Sequence, residues 1–199
     1  GVPTSDRVQY HARMSDNAEW GPLAGLIGEW EGDQGSDFAY ANVEGRVKDT
    51  PYREKTSMKP FGPVENGLQV LYGLDYRMAA WRGEEENPFH TEVGYWLWDA
   101  IDSQVFRCFV IPRGSLVLAG GDSTPDAKSF TMHAECGSES YGVLSNRFLA
   151  TAARTSNYKC TVTINDDGTW AYDELSTVEH ARYGAVVEHS DRNLLHRVS

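Results

Sequence analysis

The chain is short of positive charge, of cysteine and of any catalytic signature. Its 18 Lys and Arg stand against 29 Asp and Glu, a formal net charge of −11. Nucleic-acid binding needs clustered cations along a phosphate backbone, so this balance excludes that class, and an anionic membrane surface with it. No window approaches the roughly 18 apolar residues of a membrane-spanning helix, and no signal-peptide pattern opens the chain. The three cysteines, Cys108, Cys136 and Cys160, are widely spaced and form neither a CxxC pair nor a zinc spacing. Reduced thiols and a cytoplasmic location are the expectation. A nucleophile elbow, His-Glu-x-x-His, a phosphate loop and a dinucleotide fingerprint are all missing. Acidic runs such as Glu84-Glu85-Glu86 sit in polar stretches and read as solvated surface.

What is present is an aromatic-rich, strand-forming grammar. Residues 89–121, FHTEVGYWLWDAIDSQVFRCFVIPRGSLVLAGG, read as three strands joined by short turns, an antiparallel meander. Strands are also expected over 52–58, 68–78, 130–136, 158–164 and 169–178, with one or two more over 184–199. Asn165-Asp166-Asp167-Gly168 is a strong hairpin signal. Residues 32–48, rich in Gly, Asp and Asn, read as a loop or a frayed strand. Lys59–Pro63 reads as a break, and 141–153 fits strand or helix. Trp20, Leu23, Ala24, Ile27 and Trp30 recur at helical spacing, with Pro22 suited to a first turn and Gly28 to a stop. A short helix over 20–28, plugging one barrel end, is expected. Residues 1–19 form a polar arm, and 20–199 one domain. Together these predict an all-β, about ten-stranded antiparallel up-and-down barrel with an N-terminal capping helix. Such barrels hold ligands in the lumen.

Of six histidines, His11 and His133 read as surface, and His180 and His196 fit either environment. His90 stands two residues before Glu92, on one strand face, where the two side chains can meet. His189, in AVVEHSDRN, is carried by an apolar strand to a polar turn, near a barrel mouth. As a ligand it would offer a neutral imidazole nitrogen to a metal centre.

The segments HTEVGYWLWD, IPRG, YGVLSNRF and HSDRNLLHRV resemble the nitrobindin-like haem-binding β-barrel family, grouped with fatty-acid-binding-protein-like domains. The resemblance runs from about Gly21 to Val198. It is most specific at His90, Glu92, Gly94 and Tyr95, and at His189, Asp191 and Asn193. The family's early Gly-x-Trp-x-Gly-x-Gly motif matches at Gly28, Trp30 and Gly32, but Gln34 replaces its final Gly. The resemblance implies b-type haem near one mouth, with His189 as the proximal ligand to ferric iron. Its open axial position would take a diatomic or nitrogen-oxide ligand such as nitric oxide, and peroxynitrite isomerisation to nitrate is the implied enzyme activity. Ser190 or the backbone around Asp191 would orient the imidazole. Two other readings stand beside this one: a carrier of an apolar small molecule such as a fatty acid, without haem, and an interaction domain whose lumen its own aromatics fill.

Overall fold

The computed structural model describes residues 17–41 and 43–198; most of the expected arm, His11 included, lies outside the described residues. Eleven strands close into one barrel: β1 (Gly28–Ala41), β2 (Arg46–Asn66), β3 (Gln69–Trp81), β4 (His90–Asp99), β5 (Gln104–Ile111), β6 (Ser115–Asp122), β7 (Ser129–Cys136), β8 (Gly142–Ser145), β9 (Ala153–Ile164), β10 (Trp170–His180) and β11 (Ala185–Arg197). The sheet order is β1-β11-β10-β9-β7-β8-β6-β5-β4-β3-β2. Every pairing is antiparallel except β7 with the short β8, which run parallel. The eleventh strand comes from the ambiguous stretch 141–153, which divides into β8 and a one-and-a-half-turn helix, α1 (Arg147–Ala152), capped by Asn146.

The strong sequence signals fold as expected. β4, β5 and β6 form the meander. β9 and β10 pair as a hairpin, Ile164 opposite Trp170, around Asp167-Gly168. Alternation along the strands sends large apolar side chains inward, as at Tyr52 and Met58 on β2.

Three local expectations need correction. Residues 32–41 are neither loop nor frayed but continue β1, which absorbs a bulge between Gly32 and Gly35. β2 runs straight through Lys59–Pro63, because a second bulge between Phe61 and Val64 takes up the prolines. The capping helix spans Ala18–Leu26, two residues earlier than expected at each end; it is 3-10 and breaks at Gly21, where φ is 52°. Gly21 lies against the Trp98 indole, where a Cβ would come within 2.5 Å of the ring. The segment still plugs that end, with Leu23 and Leu26 fully buried and the Trp30 indole N–H donating to the Leu26 carbonyl at 2.8 Å.

The thiols of Cys108, Cys136 and Cys160 are unpaired. Gly94 has a clear physical role: a Cβ there would sit 1.9 Å from the Cys108 carbonyl oxygen. Gly94→Ala must therefore force β4 and β5 apart, and a loss of roughly 2–3 kcal/mol in chemical denaturation is expected; an unchanged midpoint would contradict this close approach.

Candidate functional site

The lumen is layered. At the plugged end, Trp30, Trp96, Trp98 and Trp170 are all but fully buried. Trp170 meets Trp30 and Trp96 edge-on, at 6.0 and 6.3 Å between centroids.

Above the tryptophans lies a layer of buried charge. Arg107, from β5, is 2% exposed. Its Nη2 donates to Glu92 Oε1 at 2.7 Å, and its Nη1 donates to the Tyr158 hydroxyl at 3.0 Å. Tyr158 in turn donates to Glu174 Oε2, itself 3.6 Å from the guanidinium. Glu92 also accepts from Tyr76 at 2.9 Å and from His90 Nε2 at 2.8 Å, so the expected His–Glu contact exists. The guanidinium is sandwiched by Phe109 and Trp96, at 4.0 and 4.5 Å. A second cluster abuts this one. Glu54 accepts from Tyr172 at 2.5 Å, from Asn193 at 2.8 Å and from Thr56 at 2.7 Å, and Tyr52 shares a 2.6 Å bond with Tyr172. Gly32 leaves room for this: its Cβ would lie 2.8 Å from Asn193 Nδ2.

One arginine faces several carboxyls, and they divide the charge unequally. Burial opposes ionisation of Glu92, but Arg107 and His90 outweigh it and hold the carboxyl down at about 2. Burial raises Glu174, with Arg107 offsetting only part of this and Glu92 adding to it. Glu54 is likewise raised by burial, against its hydrogen bonds. Asp191 is pushed well up by burial and by the Glu174, Glu92, Asp37 and Glu54 carboxyls around it. His90 is raised, since Glu92 outweighs its burial.

The open end carries His189. It does not stand at a strand exit: β11 continues to Arg197, and Ser190–Asn193 is strand, not turn. It is nevertheless near the rim, five residues into β11, with its side chain 38% exposed. Its Nε2 pairs with Asp37 Oδ1 at 2.6 Å. Neither Ser190 nor the backbone at Asp191 holds the ring. Asp37 lies on β1, opposite Asp191 in register. Strand alternation places the small or apolar Ala39, Ser176, Val178 and Val187 on the inward face of this rim. The donor set fits haem: one half-exposed imidazole, paired through one nitrogen, beside small side chains that leave room for a flat group, with Asp37 and Lys48 as the charged groups of the same inward rim.

The other candidates serve the fold. Trp30, Glu92, Gly94, Asp191 and Asn193 belong to the packed layers, Gly28 opens β1, and Tyr95 points outward, 48% exposed. Gln34, in place of the family glycine, is exposed beside the β1 bulge. His133 and His196 are exposed, and His180 packs on Tyr40 at the rim, 5.2 Å between centroids.

The charge layer gives the barrel a defined pH dependence. Glu54, Glu174 and Asp191 keep protons in the fold that the unfolded chain releases near pH 4, so stability is full below that pH and falls as pH rises toward their folded values. His90 acts in the same direction at higher pH. Glu92 acts oppositely, its contribution present above about pH 4 and lost as pH falls toward 2. Denaturation midpoints should therefore fall as pH rises above about 5, and Glu54→Gln should lessen that fall, by at most one proton's slope, about 1.4 kcal/mol per pH unit. A midpoint that rises over that range would contradict this division of charge.

The comparisons with known proteins agree with this geometry. The model of the THAP4-like, heme-binding beta-barrel domain matches residues 19–197. The crystal structure of Rv2717c from M. tuberculosis superposes with a TM-score of 0.62 at 16% identity, covering 89% of this chain and 95% of that one, a likeness of fold. No curated protein matches. From its plugged, closed barrel and the family match over nearly its whole length, the chain belongs to the THAP4-like haem-binding β-barrel domains.

Proposed function

We propose that the rim around His189 binds b-type haem in the ferric state, with His189 as the proximal iron ligand, and that the domain binds nitric oxide or converts peroxynitrite to nitrate. The observation that carries the reading is the half-exposed His189 imidazole, anchored on Asp37 among small inward-facing side chains. Haem held there would supply redox-active iron able to take a nitrogen-oxide ligand. The chain's own part is ligation, orientation and exclusion of water. Asp37 holds the proton on Nε2, the imidazole nitrogen that faces it, so Nδ1 would present its lone pair to the iron. The Arg107–Glu92 layer forms a rigid polar floor that stops an apolar group from sinking further. That floor, with four tryptophans beneath it, occupies the axial volume a fatty-acid chain would need, and so favours haem at the rim over the apolar carrier.

Haem titration of the parent and three variants tests this. His189→Ala should keep the fold and lose at least tenfold in affinity, with a changed ferric spectrum; His196→Ala should match the parent. Asp37→Asn should lower affinity roughly tenfold by releasing the ring, the usual scale for a metal ligand's hydrogen-bond partner. Parental affinity and spectrum in His189→Ala would remove the ligand assignment.

A further inference from the structure

The β1–β2 hairpin runs on past the last pairing of β1 with β11, Phe38 with Ser190, and carries two cations at the mouth. On β2, Lys48 stands opposite Ala39 and Arg46 opposite Ala41, in the same alternation that turns Thr50, Tyr52 and Glu54 inward. Asp37 pairs with Thr50, so Lys48 lies one same-face step beyond the His189–Asp37 pair, about 7 Å along the strand, and Arg46 lies one step further. Both cations end on one carboxylate. Glu44, in the turn between the strands, takes Lys48 Nζ on Oε1 at 2.8 Å and Arg46 Nη2 on Oε2 at 3.0 Å. Lys48, and Arg46 with it, hold that carboxyl below the usual range. All three side chains are exposed to water. Arg82 and Arg182, in the β3–β4 and β10–β11 connections, lie instead on the rings of Phe89 and Tyr183.

An acidic ligand entering this mouth meets a chain of net charge −11 and, at the rim, Asp37. It needs cations on the face it enters. We infer that Lys48 and Arg46 form a clamp for the two carboxylates of a porphyrin diacid, and that Glu44 occupies the clamp until the ligand arrives. This rests on the reading of the rim as a haem site and names the residues that receive the propionates. The shared carboxylate carries it: Glu44 sets one oxygen on each cation, as a ligand carboxylate would. Glu44 belongs to a turn closed by the Gly45 N–H on the Ala41 carbonyl at 2.8 Å, and its exposed side chain can swing into water. Exchange of Glu44 for a ligand acid keeps the cations paired, so entry leaves no charge unmet. Lys48 and Arg46 carry two positive charges against the one negative charge of Glu44. A diacid balances them, and a single fatty-acid carboxylate does not. The clamp also sets the ligand's direction, with its acids toward water and its apolar body inward, on the small side chains beside His189.

Fluorescence titration of the full chain with metal-free protoporphyrin IX and with its dimethyl ester separates the clamp from iron ligation, since neither probe carries iron for His189. At low salt, Lys48→Gln combined with Arg46→Gln should weaken the diacid roughly fivefold and leave the ester unchanged. Glu44→Gln should tighten the diacid about twofold, again without effect on the ester. Sodium chloride at about 0.5 M should erase most of both differences. The variants should keep the parental melting curve, because all three side chains lie in water. Unchanged diacid affinity in the double variant, an equal loss for the ester, or weaker diacid binding in Glu44→Gln would overturn the clamp. Palmitate that displaces the porphyrin and loses as much in the double variant would overturn its assignment to a diacid. The clamp effect beside parental haem affinity in His189→Ala would remove the iron ligand alone. Haem affinity lost in His189→Ala beside a double variant that binds diacid like the parent would remove the clamp alone, and a parent that binds neither probe would remove both.

Discussion

Arg107 is a guanidinium with almost no access to water, in the middle of a β-barrel lumen. Burying such a charge costs several kcal/mol unless it is paired and its donors are met. Glu92, Tyr158, Glu174 and the faces of Phe109 and Trp96 meet that demand at the two terminal nitrogens, while Nε is buried without a partner. The partners come from β4, β5, β9 and β10, strands on opposite sides of the barrel, so the pairing ties the wall together across its diameter. It also determines what the lumen can hold. The tryptophan layer below it is sealed from the mouth, and any ligand must stay above it.

The same layer explains why so many family-motif residues lie away from the proposed ligand site. His90 and Glu92 complete the arginine's ion pairing, Gly94 lets β4 approach β5, and Gly32 makes space for Asn193, which donates to Glu54. Their business is to build a floor at a set depth. The proposed ligand His189 and its partner Asp37 lie above that floor.

Much of this was legible in the sequence. Strong period-two runs between turn residues located β3 to β7 and the β9–β10 hairpin, and the spacing of His90 and Glu92 predicted their contact. Residues 32–41 were illegible as strand because Gly, Asp and Ser have low strand propensity; the closure of the barrel by β11 and β2 on either side holds them extended instead. That mattered for the site, since Asp37 lies in this stretch, and its meeting with His189 is a contact across 152 residues that no local pattern encodes. Likewise Ser190–Asn193 looks like a turn by composition, but the inward Asp191 and Asn193 are polar because they border the buried carboxyls, not because the chain reverses. The short plug helix was legible from its apolar spacing, but its break was not, because Gly21 gave no sign of the Trp98 ring it accommodates.

The central claim is that a charged floor confines haem to the rim, on His189. A crystal structure of the haem-loaded chain tests it most directly. The account predicts iron bound to a nitrogen of His189, above an Arg107–Glu92–Glu174 cluster that has not moved. Haem lodged below that layer with the Arg107 pairing broken, or held at another face with His189 unligated, would contradict it.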